Sequence, residues 1–357
     1  MRTLTPAQLE ALSHGYAPDA VLTATRGSDP PVVVPVVGGD VTYSAASTER
    51  LDLRVSVPLV DNDGTVWAPL GWDDLLVPTD CVLDLSFGMG IGPRVHVAHA
   101  WLDSVRARRP DGTLELRATS RATRVSQAGL PAGDRRLSGP TAAVCHALVE
   151  QALGESVTLL DLGIGGPTVY PGTTFSGDPW AHVDELCDAA GGEAYFDLED
   201  RLVLRRTPTG AGPAVATLAT GKGGTVLAYD VELTRAPNVL RLEYQDPAGT
   251  ADIVGTASAT GAAAPSGPYG VYRGDVSRSG RPTQAQADAA ARDYLTRAGG
   301  LLRNLSLEVV PNPGLEVGDT VAVVFVNGTQ ELHRVVEVDL PITPGRPMVV
   351  TTRATPW

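Results

Sequence analysis

The sequence predicts an α+β, β-rich fold: two β-barrel-like domains flanking a small α+β domain. Three observations predict it. Residues 51–57, Leu-Asp-Leu-Arg-Val-Ser-Val, alternate apolar and polar side chains strictly, as a strand buried on one face requires. Residues 173–206 hold a capped helix, a glycine stop and a hairpin in one short run. Beyond residue 225 strand patterns resume, interrupted by one alanine-rich helix. The boundaries expected from these changes are 1–125, 126–210 and 211–357.

The first stretch opens with a short amphipathic helix over residues 4–14, with Thr5 as N-cap and Pro6 in the first turn. Strands are expected at 32–37, 41–43, 50–57, 82–87, 95–106 and 113–120. Turns are expected at Gly38-Gly39-Asp40 and Pro110-Asp111-Gly112. Strands at this spacing, joined by Gly/Pro/Asp turns, indicate a barrel or sandwich.

A polar stretch, 129–138, leads into the centre, where 140–153 reads as a helix with Ser138 or Gly139 near its start and Gly154 past its end. Residues 157–160 are a candidate strand. Asp178 can cap the next helix by accepting from the free amides of its first turn. Pro179 follows, where a missing N–H costs nothing. Trp180, Val183, Leu186 and Cys187 recur at helical spacing, and Gly191-Gly192 stop the helix. Tyr195–Leu198, a turn at Glu199-Asp200 and Leu202–Leu204 then read as a hairpin.

After a loose run at 210–224, residues 226–233 and 238–244 read as a hairpin around Arg235-Ala236-Pro237. Residues 250–268, rich in Ala, Gly, Ser and Thr, read as a mobile excursion. A helix is expected over 283–299, stopped at Gly299-Gly300, and strands at 301–310, 320–326, 331–339 and 348–352.

Composition narrows the function classes. The chain has 357 residues, 43% of them hydrophobic, with a net charge of −13. That charge argues against a general nucleic-acid binder, which needs a basic footprint. No stretch approaches the roughly 20 apolar residues of a membrane span. The N-terminus lacks an apolar signal core, which argues against Sec export. Lys222 is the single lysine. With abundant Ala, Gly and Pro, this suggests a high-GC coding sequence, as in an actinobacterium or its phage. Cys81, Cys145 and Cys187 are far apart in sequence and odd in number, which argues against a disulfide framework or a structural zinc site.

No catalytic, cofactor or metal signature emerges. His96 and His99 are the one close histidine pair, and in a regular strand a three-residue spacing puts them on opposite faces. Asp61-Asn62-Asp63-Gly64 lacks the spacing of a calcium loop and reads as a hairpin turn. Gly163-Ile164-Gly165-Gly166 is not a dinucleotide fingerprint. Asp73-Asp74 and Asp184-Glu185 could in principle serve as glycosidase pairs, but they read as solvated surface, and Cys187 as a core thiol. Trp67 and Trp72, in the stretch 58–78, are candidate partner contacts, since tryptophan is enriched at binding hot spots; both could equally be core or hairpin residues.

Two motifs carry a resemblance. The first is the Trp180 helix, its glycine stop and the hairpin Phe196-Asp197-x-x-x-Arg201-Leu202-x-Leu204-Arg205-Arg206. The second is Pro311-Asn312-Pro313-Gly314-Leu315-Glu316-Val317-Gly318-Asp319-Thr320-Val321, in which prolines hold the backbone extended and Leu315 drops into the core. The order of these signals resembles the tail-hub proteins of bacteriophages and related injection machines over 173–357. The start, Met1-Arg2-Thr3-Leu4-Thr5-Pro6-Ala7-Gln8-Leu9, is similar to minor tail proteins of actinobacterial siphophages.

The resemblance implies a non-enzymatic homotrimer, without cofactor, that closes the distal end of the tail tube. It implies two similar barrels per subunit, forming a pseudo-sixfold ring. Implied partners are further copies of the chain, the tail tube or distal tail protein, the tape measure protein, and fibre or tip proteins. The implied location is the virion tail tip, after synthesis in the bacterial host cytoplasm. A tail-borne cell-wall hydrolase and a carbohydrate-binding adhesion module are the rival readings.

Overall fold

A computed structural model describes residues 2–45, 50–108, 112–130, 135–166, 168–169, 173–207, 212–245, 253–279, 282–298 and 301–354. The elements run α1 (Pro6–His14), β1 (Asp19–Arg26), β2 (Val32–Val34), β3 (Gly38–Ser44), β4 (Leu51–Pro58), β5 (Cys81–Gly88), β6 (Val95–Arg108), β7 (Thr113–Thr119) and α2 (Arg121–Ala128). Next come β8 (Arg135–Arg136), α3 (Thr141–Leu153), β9 (Leu159–Leu162), β10 (Thr174–Phe175), α4 (Pro179–Ala189), β11 (Gly192–Phe196) and β12 (Leu202–Arg206). The rest are β13 (Ala216–Ala219), β14 (Val226–Arg235), β15 (Val239–Gln245), β16 (Ile253–Ser258), β17 (Arg273–Ser279), α5 (Gln284–Ala298), β18 (Leu301–Val309), β19 (Thr320–Val324), β20 (Gln330–Pro341) and β21 (Met348–Ala354). The expected Pro110-Asp111 turn and Gly299-Gly300 stop lie outside the described residues, as do parts of the expected loops at 131–134, 208–211 and 250–252.

The chain divides into two compact units. The first comprises Met1–Arg121, Ala211–Val231 and Leu305–Thr355. Its strands, together with β14 and β18, each of which has residues in both units, form one 13-stranded sheet, in the order β14-β18-β21-β20-β3-β4-β7-β6-β5-β1-β2, with β19 joining β20 and β13 joining β19. Among the described residues the pairing does not close into a barrel. The two β-rich stretches, far apart in sequence, join where β20 lies antiparallel to β3, from Glu337 opposite Ser44 to Pro341 opposite Asp40. One apolar core underlies both: Leu53, Phe87 and Leu116 share it with Leu315, Val335 and Val350. The alternation of Leu51, Leu53, Val55 and Val57 buries that whole series.

Three local expectations change here. Gly38 and Gly39 begin β3 rather than forming a turn, because β3 and β4 approach closely: a Cβ on Gly39 would lie 2.1 Å from the Arg54 carbonyl oxygen. The expected strand at 32–37 stops at Val34, before Pro35. β1 was not anticipated, since Asp19–Arg26 mixes Thr and Ala into the pattern; Leu22 and Ala24 are its buried face.

The N-terminal segment and the Asn-Pro-Gly-Leu motif, read separately in the sequence, meet in this unit. The Arg2 amide donates to the Gly314 carbonyl at 2.8 Å. Its guanidinium donates to Pro313 O at 3.1 Å and to Val97 O at 3.2 Å. The Tyr16 hydroxyl donates to Pro311 O. Thr5 and Gln8 cap α1 reciprocally.

The second unit comprises Ala122–Gly210 and Glu232–Asn304. Here α3 and α4 cover the small sheet β11-β12-β9, in which β12 runs parallel to β9. Trp180, Val183 and Cys187 of α4 meet Cys145 and Leu148 of α3 in the core. Asp178 caps α4, accepting from Trp180 N at 2.9 Å and Ala181 N at 3.2 Å. Gly191 takes a positive φ of 72°, and the hairpin turns at Asp200, φ 57°.

A second core in this unit belongs to the sheet β16-β15-β17 and α5. The expected hairpin of 226–233 with 238–244 is therefore corrected. β14 pairs with β18, while β15 pairs with β16 and β17. The buried Asn238 makes the separation: its amide nitrogen donates to Ala263 O and Gly270 O, and its oxygen accepts from Tyr272 N. Within the expected mobile excursion, residues 253–258 form the strand β16, while 259–268 are loop and turn with one short 3-10 helix at Gly261–Ala263. The small residues of β16 let α5 pack closely, and a Cβ on Gly255 would lie 2.2 Å from Ala287 O.

Candidate functional site

Four constellations could carry chemistry. The first is on β5 and β6. A bulge in their register leaves Val97 as an extra residue, since Ala98 opposes Leu85 and His96 opposes Ser86. Val97 and Ala98 are consecutive buried residues, so His96 and His99 emerge on the same face. The expectation that they lie on opposite faces is thus corrected. Both rings meet one oxygen of Asp84, His96 Nε2 at 3.1 Å and His99 Nδ1 at 2.7 Å. Burial pushes the Asp84 carboxyl up, but the hydrogen bonds from both histidines and their proximity outweigh it, holding the group well below the usual carboxylate range. Among the described residues, no group of three or more potential ligands has metal-binding geometry.

The second constellation joins β20 and β21. His333 Nε2 lies 3.2 Å from Glu331 Oε2, and His333 Nδ1 lies 3.1 Å from Thr352 Oγ1. Carboxylate, imidazole and hydroxyl are in the order of a nucleophilic triad. Both His333 and Thr352 are completely buried, so no substrate reaches the hydroxyl. The arrangement satisfies polar groups inside the first unit.

The third is Cys145 and Cys187, whose sulfurs lie 4.0 Å apart in the second unit's core. The contact with Cys145 and burial push the Cys187 thiol up, so it stays protonated and unreactive. The fourth is a cleft of about 180 Å³ in the second unit, bordered by Asp188, Gly191, Arg206, Tyr244, Gln286 and Asp293. It is smaller than the roughly 300–1,000 Å³ of typical ligand pockets. Asp184, read as solvated helix surface, is half-buried, and burial, Asp178 and Asp188 push its carboxyl up to about 7.

Among the described residues, the most exposed apolar features include a loop of the first unit and the strand β14, whose residues 226–231 belong to the first unit. The loop follows β4. Its base is a small hairpin in which Val60 bridges Val66 and Asp61 accepts from Asp63 N and Thr65 N, the turn expected at Asp61–Gly64. Trp67 packs against the core and donates through Nε1 to Asp61 at 3.1 Å. Trp72 stands out, 80% exposed, beside Leu70 at 88%. The strand is β14, where Leu227, Tyr229 and Val231 are 63%, 43% and 45% exposed. The alternating residues between them are exposed too, so β14 is uncovered on both faces from Leu227 to Arg235; the sequence carried the alternation but not that exposure.

No family model matches the chain, and no curated protein is similar to it in sequence. Solved structures are similar in fold. A tail protein from Neisseria meningitidis MC58 superposes with a TM-score of 0.63 at 12% identity, covering 95% of this chain and 97% of that one. The 43 kDa tail protein of prophage MuSo2 from Shewanella oneidensis gives 0.60 at 12%, covering 94% and 98%. This chain has the fold of phage tail proteins. An E. coli type VI secretion component, itself described as similar to the bacteriophage T4 tail proteins gp27 and gp5, gives 0.51 at 8%, covering 94% and 76%. Among the described residues no helix is long and apolar enough to cross a membrane.

Proposed function

We propose that this tail-protein-like chain is a structural hub at the distal tip of a phage or phage-derived tail, of the siphophage minor-tail-protein type. It is a homotrimer without enzymatic activity or cofactor. It closes the tail tube and anchors tail-tip or fibre proteins. The observation supporting this most strongly is the extent of the likeness, which spans 95% of this chain and 97% of the Neisseria tail protein. A likeness that leaves almost no residue of either chain outside favours a shared whole-chain architecture over a grafted module.

In this reading residues 1–125 and 211–357 act as the paired barrel-like parts, with 126–210 between them. The ring they build in three copies docks on the tail tube or distal tail protein, near the tape measure protein. Interfaces of such assemblies are large and closed, and they need no active site. The net charge of −13 suits a passage that does not retain DNA. Trp67 and Trp72 are the proposed partner contacts, with Trp72 the accessible one.

Antibody labelling of intact particles tests the location. Electron microscopy is expected to show label confined to the tail tip of particles made in the bacterial cytoplasm. Label along the shaft, or particles lacking the protein, would contradict it.

A further inference from the structure

Arg235 and Tyr269, 34 residues apart, meet on the second unit. The guanidinium carbon of Arg235 lies 4.8 Å from the Tyr269 ring centroid and 5.6 Å from that of Tyr272. Its Nη2 donates to Tyr269 O at 2.8 Å. A guanidinium held against ring faces keeps its N–H groups available in its own plane, as a flat fork.

Both tyrosines are fixed from beneath. The Tyr269 hydroxyl donates to Ala236 O at 2.7 Å and accepts from Ala236 N at 3.1 Å. The completely buried Asn238 accepts from Tyr272 N through its side chain and donates to Tyr272 O through its backbone, both at 2.8 Å. Its amide nitrogen ties Ala263 O and Gly270 O of the same loop. A loop held this firmly presents its side chains to a ligand at little ordering cost. Arg235 is exposed, as are Val271 at 56% and Tyr272 at 44%. The stretch 259–272 contains no charged residue.

Other arginines that lie over a tyrosine also have a carboxylate. Arg205, over Tyr195, reaches Glu193 at 2.7 Å, and Arg2, over Tyr43, faces Glu316 at 3.6 Å. Arg235 has no carboxylate partner among the described residues, in a chain of 41 acidic and 28 basic side chains. The chemistry that completes such a fork is an anionic oxygen group, which it binds through two parallel hydrogen bonds.

The main-chain donors beside the fork are already used. Ala236 N, Asn238 N, Val239 N and Tyr272 N all have acceptors in the same structure, so they offer an extended peptide nothing to pair with. The net charge of −13 argues against a nucleic-acid strand. A ring that packs its C–H face on an aromatic side chain and carries an acid group for the fork fits both parts. We propose that Arg235 and Tyr272 form a binding site for an acidic saccharide. The fork of Arg235 takes its carboxylate or phosphodiester oxygens, and the sugar ring packs against Tyr272 and Val271. The site goes beyond the structural role proposed above and does not depend on the number of chains in the assembly.

Titration calorimetry of the full chain tests it, with oligogalacturonate, a glycerol phosphate oligomer and neutral dextran of matched length. Binding of an acidic oligomer, and none of dextran, is expected. Oligogalacturonate alone assigns the fork to a carboxylate, and the glycerol phosphate oligomer alone assigns it to a phosphodiester. Arg235→Ala is expected to weaken binding about tenfold or more, and Arg235→Lys nearly as much, since an ammonium is not a fork. Tyr272→Ala is expected to weaken it several-fold and Tyr272→Phe hardly at all, because the ring face makes the contact. Both side chains are exposed, and circular dichroism checks that the variants fold. Failure of both acidic oligomers to bind, equal binding of dextran, or full binding by Arg235→Ala would overturn the site. Full binding by Tyr272→Ala would leave a bare anion contact and overturn the saccharide. Tighter binding of a glutamate peptide of the same charge would overturn it in favour of a protein ligand.

Discussion

His333 illustrates what a single residue does in this molecule. It lies completely buried on β20, joined to Glu331 on one side and to Thr352 of β21 on the other. Removing the ring leaves a carboxylate and a hydroxyl buried with one partner fewer each, and the cost of that is desolvation without compensation. His333→Ala is expected to destabilise the protein by about 2–4 kcal/mol, and Glu331→Gln by less, since the amide still reaches the ring. Urea denaturation monitored by tryptophan fluorescence reads both. Asp184 acts through pH. Its carboxyl rises from 3.8 to about 7 on folding, so between these values the folded state holds more protons than the unfolded one. Stability is full at low pH and declines as pH rises through about 4 to 7. Asp184→Asn is expected to flatten that decline and to raise the melting temperature at pH 8 by roughly 2–4 °C; a melt series from pH 4 to 8 checks it. His333 was opaque in the sequence, because its partner Thr352 is brought in by strand pairing. Asp178 was legible, because a cap works on amides two and three residues away.

At the scale of elements, local signals translated well and pairing signals did not. α4, its cap, its glycine stop and the β11–β12 hairpin follow from neighbours in sequence. Asp178→Ala is expected to cost about 1 kcal/mol, read by denaturant titration, as loss of an N-cap does; Ser126 Oγ, 2.7 Å from Asp178 Oδ2, also loses its acceptor. Gly255→Ala tests a contact the sequence hid. The added methyl would meet α5 backbone at 2.2 Å, so a loss of several kcal/mol in stability is expected, measured by thermal melting. The His96–His99 pair fell on one face because of a bulge, and a bulge leaves no mark in an otherwise regular strand pattern. For β14 and β15, proximity in sequence suggested a hairpin, but Asn238 anchors the turn and sends the strands to different sheets.

At the scale of the whole molecule, β-richness was legible, with 44% of the structure in strands and 18% in helices. The joining of the two β-rich stretches was not. β20 and β3 are nearly 300 residues apart, and each reads as an ordinary half-buried strand. The same limit applies to β14, whose apolar alternation reads as core until its exposure is seen. The proposed assembly rests on the likeness in fold to tail proteins, and Leu70 and Trp72 are the exposed apolar side chains open to a partner. The mass of the purified chain in solution, with imaging of the same sample, tests this most directly. The account predicts three times 37.2 kDa and particles with threefold symmetry. A single chain of 37.2 kDa at high concentration, with no rings, would contradict it.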